Sequence, residues 1–242
     1  MGGGRKELQG EMKLSIIIPT YNEERTIGQL IRRILATSFP IDYEMVIIDD
    51  HSGDRTYTIE RELRDTVGKR RIRTLRNRVN KGKGASIRQG LKHARGDLVI
   101  IQDGDLEYDP SDIPKLLEPI LAGRAEAVYG SRFLKCPWPS GMVWSSYAAN
   151  HVLTWLTNLL YGTRLTDMET CYKMMRRRQL VSLRIRAGAF EFEPEVTAKL
   201  ARQGVCVAEV PISYHGRTRG EGKKIRAKDF FIALWALIRY RL

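Results

Sequence analysis

"IIQDGDLEYDP", residues 100–110, joins the end of an apolar run to three carboxylates, those of Asp103, Asp105 and Glu107. The run at 98–102 is typical of a buried strand. Carboxylates this close together repel unless a cation lies between them, and the whole chain carries a formal net charge of +13. The stretch therefore predicts a strand that ends at a bound cation. The alternative is a solvated acidic turn.

Strand and helix patterns alternate on either side of this stretch. Short β-branched runs are followed by segments whose apolar residues recur at helical spacing. The predicted strands are 14–18, 45–48, 71–75, 98–102, 127–129 and 205–210, and the predicted helices are 24–37, 56–67, 85–94, 111–122, 145–161 and 194–203. This alternation favours an α/β fold with an open, mostly parallel central sheet and helices on both faces.

Polar clusters follow the first two predicted strands, at 20–23 and 49–52, and a glycine-rich turn at 80–84 precedes a helix. Ligands of open α/β sheets bind outside the carboxyl ends of the strands, and a helix N-terminus favours an anion. The turn is suited to lying against phosphate through Lys81 and Lys83. It matches neither the P-loop nor the dinucleotide-binding pattern.

Asp103 and Asp105 are the first candidates for metal ligands. They are two residues apart, so in extended backbone their side chains would point the same way. Hard oxygen ligands suit Mg²⁺ or Mn²⁺, and Mg²⁺ is commonly held by one or two carboxylates together with substrate phosphates. The sequence thus predicts a divalent ion that carries a diphosphate at the end of this strand.

The composition bounds the class of protein. With 242 residues, 43% of them hydrophobic, the chain can bury a core and suits one domain or one domain with an appendage. Its 41 Lys and Arg against 28 Asp and Glu imply an anionic partner, either nucleic acid, a phosphorylated substrate or an acidic membrane surface. We expect no nucleic acid, because no recognisable binding motif is present and the positive charge is weighted to the tail. Three widely separated cysteines favour a reducing cytosol.

The two ends of the chain differ from the middle. Residues 1–12 contain a triple glycine and lack the apolar segment of a signal peptide, so we expect a flexible leader. Residues 13–215 form the expected α/β domain, and 216–242 a basic loop followed by an amphipathic helix. That helix either docks on the core or lies in a membrane surface, with the helix at 145–161 as a second contributor. No apolar run reaches the ~20 residues of a membrane span.

In their order, these motifs resemble those of family 2 glycosyltransferases with the GT-A fold, a Rossmann-like architecture. The closer resemblance is to the dolichol-phosphate mannose synthase branch, the polyprenyl-phosphate glycosyltransferases, and it runs from about residue 14 to residue 214. It is carried by SIIIPTYNEE (15–24), DDHSGD (49–54), NKGKGASIRQGLKHARGD (80–97), QDGDLEYDP (102–110), GSRF (130–133), TDMETCYKMMRR (166–177) and FEFEPEVTAKLARQG (190–204). Gly104 is a mild departure, since the family often has alanine at that place.

The resemblance implies a role for each matched residue, and 13–215 becomes the expected catalytic domain. The nucleotide sugar would be bound by Pro19, Tyr21, Asn22, Glu23, Asp50, Ser52, Lys83 and Asp103. A cofactor ion, Mg²⁺ or Mn²⁺, would be held by Asp103, Asp105 and Glu107. The catalytic residues would be Asp105, Asp167, Glu169 and Arg132, and the acceptor phosphate would meet Arg132, Arg217, Arg219 and Lys224. For Asp167 and Glu169, ordering the start of a helix is the alternative.

The implied reaction is a metal-dependent, inverting transfer of a hexose from a nucleotide sugar to a polyprenyl or dolichyl phosphate. GDP-mannose is the first expectation for the donor and UDP-glucose the second, and a soluble acceptor is the remaining alternative. An ionised phosphate acceptor needs positioning and cationic screening rather than a strong base. The expected setting is cytoplasmic, peripheral on the cytoplasmic face of the membrane. Many relatives continue into transmembrane helices. Three expectations follow: a naturally soluble form, a membrane-spanning partner subunit, or a sequence that is part of a longer protein.

Overall fold

The computed structural model describes residues 12–217 and 227–241, and one seven-stranded sheet lies at its centre. The strands are β1 (Lys13–Thr20), β2 (Asp42–Asp49), β3 (Ile72–Arg76), β4 (Leu98–Ile101), β5 (Ala127–Ser131), β6 (Lys173–Arg176) and β7 (Val207–Pro211). They lie in the order β3-β2-β1-β4-β6-β5-β7. All neighbouring pairs are parallel except the two pairs made by β6. The predicted mostly parallel sheet is confirmed.

Nine α-helices of the described residues connect and cover the strands. They are α1 (Ile27–Ala36), α2 (Thr56–Val67), α3 (Lys83–His93), α4 (Ile113–Leu121), α5 (Arg132–Lys135), α6 (Trp144–Tyr161), α7 (Arg177–Ser182), α8 (Phe192–Arg202) and α9 (Ala227–Arg241), and a 3₁₀ turn (Pro110–Asp112) precedes α4. The six helices predicted by apolar spacing are present, with ends shifted by a few residues. The short helices α5 and α7 were not predicted, because one or two turns are too few to show a helical period.

Both faces of the sheet are covered, as the burial along its central strands shows. Every residue from Leu14 to Thr20 in β1 is buried, and β4 is buried throughout. A strand with one face in water would alternate between buried and exposed residues. The burial holds the ends of these strands in fixed positions, so the loops that follow them start from a rigid edge.

The sequence pattern does not predict β6. Lys173–Arg176 is only four residues long and carries a charge at each end, so it lacks an apolar run. It runs antiparallel between β4 and β5, with Met174 opposite Ile100. Because of this direction, its first residue lies at the edge where the parallel strands end. β6 therefore brings the segment before it, 166–172, to the same edge.

The helix α9 packs on the domain and also exposes an apolar side. The Tyr161 hydroxyl at the end of α6 donates to the Leu237 carbonyl at 2.6 Å, and Ala233 and Leu237 are buried. Phe231 and Trp235 are more than 60% exposed. The predicted docking on the core is thus seen, and a position in a membrane surface stays a prediction. Within the described residues, no helix combines the length and apolar character of a membrane span.

Candidate active site

The turn after β4 separates the two aspartates of the opening stretch. β4 ends at Ile101, and Gly104 and Asp105 lie in a turn, so the backbone here is not extended. Asp103 Oδ1 is 2.8 Å from Lys83 Nζ, whereas Asp105 Oδ2 is 2.8 Å from Arg217 Nη2. The extended backbone assumed for these two carboxylates is therefore absent, and each of them contacts a different cation.

Arg217 lies among three carboxylates. Its Nη1 is 3.0 Å from Glu23 Oε2, its Nη2 is 2.8 Å from Asp105 Oδ2, and its Nε is 3.6 Å from Glu107 Oε1. The side chain is 15% exposed, and Nε makes no hydrogen bond to any described residue. The sequence predicts Arg217 at the acceptor phosphate, and the structure places it against the carboxylates. A positive charge does lie between these carboxylates, and it is the guanidinium of Arg217.

Glu107 attaches the segment of Arg217 to the turn after β4. Its Oε2 accepts a hydrogen bond from the Tyr214 hydroxyl at 2.7 Å, and its Oε1 accepts one from Arg217 N at 3.0 Å. The Glu107 carbonyl accepts from His215 N at 2.9 Å. Glu107 is therefore occupied on both carboxylate oxygens and on its backbone.

The charges of this carboxylate cluster shift the pKa values within it. Burial raises the pKa of Asp105 to about 7, and the nearby negative charges of Asp103 and Glu107 add to the rise, whereas Arg217 opposes it. Burial also disfavours the charged guanidinium, but Asp105 and Glu23 hold the pKa of Arg217 above its usual value. The guanidinium therefore stays charged, and it limits the repulsion between its neighbours.

The cluster fits a divalent ion by chemistry but not by arrangement. Asp103, Asp105 and Glu107 supply the carboxylate oxygens that Mg²⁺ and Mn²⁺ prefer. Yet in the part of the chain that the structure describes, no group of three or more His, Cys, Asp or Glu is placed so that it could hold a metal ion. The carboxylates close on Lys83 and Arg217 instead. A metal ion at these residues therefore has to take oxygens that now face Lys83 and Arg217.

Lys83 begins α3 and bridges two acidic residues from different parts of the chain. Its Nζ is 2.8 Å from Asp103 Oδ1 and 2.8 Å from Glu193 Oε1. Burial disfavours the charged ammonium, but Asp103 and Glu193 hold the pKa of Lys83 well above its ordinary value. Lys83 thus lies at the predicted edge as a fixed positive charge beside Asp103.

Asp50 shapes the glycine-rich turn before α3. Its carboxylate accepts hydrogen bonds from Asn77 Nδ2 at 2.6 Å, from Lys81 N at 3.0 Å and from Gly82 N at 2.7 Å. Gly82 has a φ of 89°, and a Cβ there would lie 2.4 Å from the carbonyl oxygen of Gly188. Asp50 therefore orders a turn that only glycine can complete. Its predicted contact with the nucleobase stays a prediction.

The loops after β1 and β2 are joined by reciprocal hydrogen bonds. Ser52 Oγ accepts from Asn22 N at 2.9 Å, and Asn22 Oδ1 accepts from Gly53 N at 2.9 Å. Pro19 is buried inside β1, and Tyr21 is 38% exposed beside this junction. These predicted nucleotide-binding residues are therefore neighbours at one corner of the edge.

Arg132 and Asp167 form a buried ion pair at the other side of the edge. Arg132 Nε and Nη2 each donate to the Asp167 carboxylate at 2.7 Å, and Arg132 N donates to it at 3.0 Å. Nη2 also lies 3.3 Å from Asn150 Oδ1. Burial disfavours the charged guanidinium, but Asp167 holds the pKa of Arg132 well above its ordinary value. No helix begins at Asp167, so the alternative in which it orders a helix start is wrong.

Glu169 lies close to this pair in a buried, charged surrounding. Its Oε1 is buried and makes no hydrogen bond to any described residue. Burial raises the pKa of Glu169, and it lowers that of the neighbouring Lys173. The Lys173 ammonium donates to the carbonyls of Met168 and Thr170, each at 2.6 Å. The segment 166–172 is thus held in place by Lys173, while Glu169 keeps a polar atom free.

An aromatic-lined pocket lies next to the Arg132–Asp167 pair. Its volume is about 400 Å³, and its lining residues are Phe133, Pro137, Tyr147, His151, Thr154, Trp155, Asn158, Leu165 and Thr166. The His151 ring packs against the rings of Phe133 and Tyr147, with centroids 4.5 and 4.2 Å away. His151 Nε2 is buried and makes no hydrogen bond to a described residue. The pocket is therefore mostly apolar, with one unused polar atom.

The structure brings most of the predicted site residues to one edge. Arg219 and Lys224 lie outside the described residues. Sequence reasoning did not single out Glu193, Lys173, Tyr214 or His151. Glu193 belongs to a quoted motif but reads as part of an amphipathic helix, and Lys173 is at an unpredicted strand. The fold alone brings Glu193 to Lys83 and Tyr214 to Glu107, and it places His151 in the wall of the pocket described above.

Residues 15–183, more than half of the chain, match the family described as Glycosyl transferase family 2. The chain belongs to this family. Its curated relatives are named for transfer to polyprenyl phosphates, so the predicted resemblance to that branch is confirmed.

Three of these relatives show how much of a related protein the chain covers. Dolichol-phosphate mannosyltransferase of Pyrococcus furiosus is 31% identical over 91% of this chain and 61% of that protein. Undecaprenyl-phosphate 4-deoxy-4-formamido-L-arabinose transferase of Edwardsiella ictaluri is 30% identical over 87% of this chain and 62% of that protein. Dodecaprenyl-phosphate galacturonate synthase of Rhizobium johnstonii is 26% identical over 92% and 65%. The chain therefore spans less than two thirds of the length of each.

Solved structures confirm the GT-A fold. Glucosyl-3-phosphoglycerate synthase of Mycobacterium tuberculosis, in complex with Mn²⁺, UDP and phosphoglyceric acid, aligns with a TM-score of 0.71 over 99% of this chain and 82% of that chain. Its complex with Mg²⁺ and UDP gives a TM-score of 0.69 over 98% and 82%. Both are 20% identical to this chain, and the likeness shows the shared fold.

Proposed function

We propose that this family 2 protein transfers a sugar from a nucleotide sugar to a polyprenyl phosphate. The observation that carries the proposal is the aromatic-lined pocket beside the buried Arg132–Asp167 pair, at the same edge as the carboxylate cluster. A lipid phosphate has an anionic head and an apolar chain, and these two features match a guanidinium and an apolar pocket placed side by side. The names of the curated relatives support the same substrate class.

We place the nucleotide sugar at the corner formed by the loops after β1 and β2. Pro19, Tyr21, Asn22, Glu23, Asp50, Ser52, Lys83 and Asp103 remain the proposed donor-binding residues. GDP-mannose is the first donor to test, because the relative from Pyrococcus furiosus is named as a mannosyltransferase. UDP-glucose is the second, because the Mycobacterium tuberculosis synthase was solved with that donor.

We place the acceptor phosphate at Arg132. Asp167 fixes the orientation of the guanidinium through two hydrogen bonds of 2.7 Å, so little ordering is needed when an anion binds. An ionised phosphate is already a nucleophile, and the site then has to orient it and screen its charge. Glu169, with its unpaired Oε1, lies near the proposed reaction centre. Arg219 and Lys224 remain proposed contacts of the acceptor phosphate outside the described residues.

We propose that Mg²⁺ or Mn²⁺ is the cofactor and that Asp103, Asp105 and Glu107 hold it. When bound, such an ion neutralises the charge of a departing nucleoside diphosphate. The carboxylate chemistry supports this proposal, and the Mycobacterium tuberculosis synthase was crystallised with either ion. The arrangement of the cluster around Arg217 means that the ion and this guanidinium cannot share it unchanged.

We propose that an outer apolar surface brings the protein to the cytoplasmic face of a membrane. This surface comprises the exposed side chains Leu134, Trp138, Val143, Trp144, Val152, Trp155, Leu159, Phe231, Trp235 and Ile238. Spacings of three and four residues separate Val152, Trp155 and Leu159 on α6. The same spacings separate Phe231, Trp235 and Ile238 on α9, which places each set on one side of its helix. Trp155 belongs both to this surface and to the pocket, so a lipid held in a membrane has an apolar path to Arg132. A membrane-spanning partner subunit stays a prediction.

Product formation tests the proposed reaction. The protein is incubated with Mg²⁺ or Mn²⁺, a short polyprenyl phosphate and, in separate reactions, GDP-mannose, UDP-glucose or UDP-N-acetylglucosamine. We expect one donor to give a lipid-extractable sugar phosphate, and we expect chelation of the metal to abolish it. Asp105→Asn provides the inactive control. Hydrolysis of every donor without lipid product would refute the polyprenyl acceptor and favour a soluble acceptor such as phosphoglyceric acid.

A further inference from the structure

Asp105 and Glu107 each have one carboxylate oxygen that faces the guanidinium of Arg217. The other oxygen of each accepts a hydrogen bond from a different residue. Asp105 Oδ1 accepts from Glu107 N at 3.1 Å, while its Oδ2 is 2.8 Å from Arg217 Nη2. Glu107 Oε2 accepts from the Tyr214 hydroxyl at 2.7 Å, while its Oε1 faces Arg217 N at 3.0 Å and Nε at 3.6 Å. The oxygens that remain for another cation are therefore the ones that already face Arg217.

The guanidinium does not satisfy the cluster completely. A guanidinium has five N–H donors in a fixed plane, and Nε of Arg217 is left without a hydrogen bond among the described residues. Three carboxylates around one positive charge keep a net negative charge. Mg²⁺ gathers oxygen ligands at about 2.0–2.1 Å, and the oxygens that now lie 2.8 and 3.6 Å from the guanidinium, those of Asp105 and Glu107, are of the kind it prefers. A divalent ion therefore competes with Arg217 for these oxygens, although the cluster has to rearrange around it.

The two cations cannot occupy the cluster together. A divalent ion that binds Asp105 and Glu107 would lie within a few ångströms of the guanidinium, and like charges at that distance in a mostly buried site repel strongly. Binding of the ion therefore requires the guanidinium of Arg217 to move away from the oxygens of Asp105 and Glu107. This reasoning rests on the proposed function, because it takes the divalent ion of that proposal as the second cation.

We propose that Arg217 is a displaceable internal cation of the carboxylate cluster. It holds Glu23, Asp105 and Glu107 together until a divalent ion takes the oxygens of Asp105 and Glu107, and the ion must displace it to bind.

Glu23 gives the proposal a distinctive consequence. Glu23 Oε2 is 3.0 Å from Arg217 Nη1, so it helps to hold the guanidinium in place, but it is not among the proposed metal ligands. Removing its charge should weaken the hold on Arg217 and so make metal binding tighter. Loss of a nearby carboxylate normally weakens metal binding. Tighter metal binding after removal of the Glu23 charge would therefore point to the release of Arg217.

Binding of Mn²⁺ alone tests the proposal without donor or acceptor. Free hydrated Mn²⁺ is measured by electron paramagnetic resonance during titration of the wild-type protein and of Arg217→Ala, Arg217→Lys and Glu23→Gln. We expect Arg217→Ala to bind Mn²⁺ about tenfold more tightly than the wild type, a difference of about 1.4 kcal/mol. Glu23→Gln should also bind it more tightly. Arg217→Lys should lie in between, because lysine keeps the charge but has no planar fork.

Two further variants serve as controls. Arg76→Ala removes another arginine at this edge, one that pairs with Asp49 at 3.0 Å, and it should leave Mn²⁺ binding unchanged. Adding Asp105→Asn to Arg217→Ala should abolish the gain. If Arg217→Ala does not fold, Glu23→Gln and Arg217→Lys still decide the matter. Equal or weaker Mn²⁺ binding in all variants of Arg217 and Glu23 would overturn the proposal, whether or not sugar transfer occurs.

Discussion

Asp167 neutralises the charge of Arg132 in the protein interior, where an unpaired charge is strongly destabilising. Its carboxylate is fully buried and receives three hydrogen bonds from Arg132. We expect Asp167→Asn to lower the free energy of unfolding by about 3–5 kcal/mol, because it leaves the guanidinium without a counter-charge. The change should also raise the KM for the polyprenyl phosphate far more than the KM for the donor. Urea unfolding and initial rates at varied substrate concentrations measure both effects.

Glu118→Gln is the matched control for this prediction. Glu118 also pairs with an arginine, Arg124, but both side chains are about 60% exposed. Exposed pairs contribute little to stability, so this variant should behave like the wild type. An equal rise in both KM values for Asp167→Asn would contradict the acceptor role of the Arg132–Asp167 pair.

Replacement of Gly82 tests whether the glycine-rich turn requires a residue without a Cβ at this position. Its φ of 89° is strained for any residue with a Cβ, and that Cβ would lie 2.4 Å from a backbone oxygen of Gly188. We expect Gly82→Ala to cost about 1–3 kcal/mol of stability and to raise the KM for the nucleotide sugar. Thermal melting and donor kinetics check the two parts.

Gly53→Ala is the control for the glycine prediction. Gly53 follows β2 at the same edge, but a Cβ there would contact nothing within 4 Å, and its φ is not positive. This variant should melt within about a degree of the wild type, since surface changes are usually close to neutral. Similar losses in both variants would mean that the Gly82 turn is not specifically constrained.

The contact between α2 and β1 makes stability depend on pH. Glu60 of α2 is fully buried and accepts a hydrogen bond from the Thr20 hydroxyl at 2.7 Å, while its other oxygen has no partner among the described residues. Burial raises the pKa of Glu60 to about 8. The folded state therefore holds a proton that the unfolded state releases near pH 4.5. The contribution of Glu60 to stability is highest below that pH and falls as the pH rises toward 8, by on the order of 1 kcal/mol per unit.

Glu60→Gln isolates this effect from other titrating groups. Glutamine keeps the shape and the acceptor for Thr20 but does not ionise. Urea unfolding between pH 5 and pH 9 (about the range that spans the folded pKa) should show the wild type losing stability relative to the variant. A constant difference between the two proteins across this range would show that Glu60 does not carry the raised pKa.

At the level of secondary-structure elements, the sequence predicts those strands and helices whose buried residues form a recognisable apolar pattern along the chain. The strands and long helices could be predicted because β1 contains a continuous apolar run and the apolar residues of α1 recur at helical spacing. β6 could not, because Lys173–Arg176 is short and its burial comes from neighbours distant in sequence. The carboxylates of the site could be predicted because they end a strand. The position of Arg217 could not, since its partners lie 110 or more residues away along the chain.

The whole molecule combines a high positive charge with an apolar side. The formal net charge is +13, and α9 ends with Arg239 and Arg241 near the exposed Trp235. Positive charge attracts a surface of acidic lipids, and exposed aromatic side chains insert at its headgroup boundary. The two properties support the proposal that the outer apolar surface meets a membrane, and they favour an acidic bilayer over a neutral one in that role.

Replacing two tryptophans of the outer apolar surface tests this reading. Trp155 and Trp235 are 64% and 62% exposed, so their replacement by glutamine should not disturb the core. We expect the double variant to bind vesicles of phosphatidylcholine and phosphatidylglycerol about tenfold or more weakly, because two aromatic side chains no longer leave water. Co-sedimentation measures the bound fraction.

The control, Val79→Gln with Val181→Gln, changes two other exposed apolar residues and should bind as the wild type does. Equal losses in both double variants would mean that general surface polarity, and not this surface, governs binding.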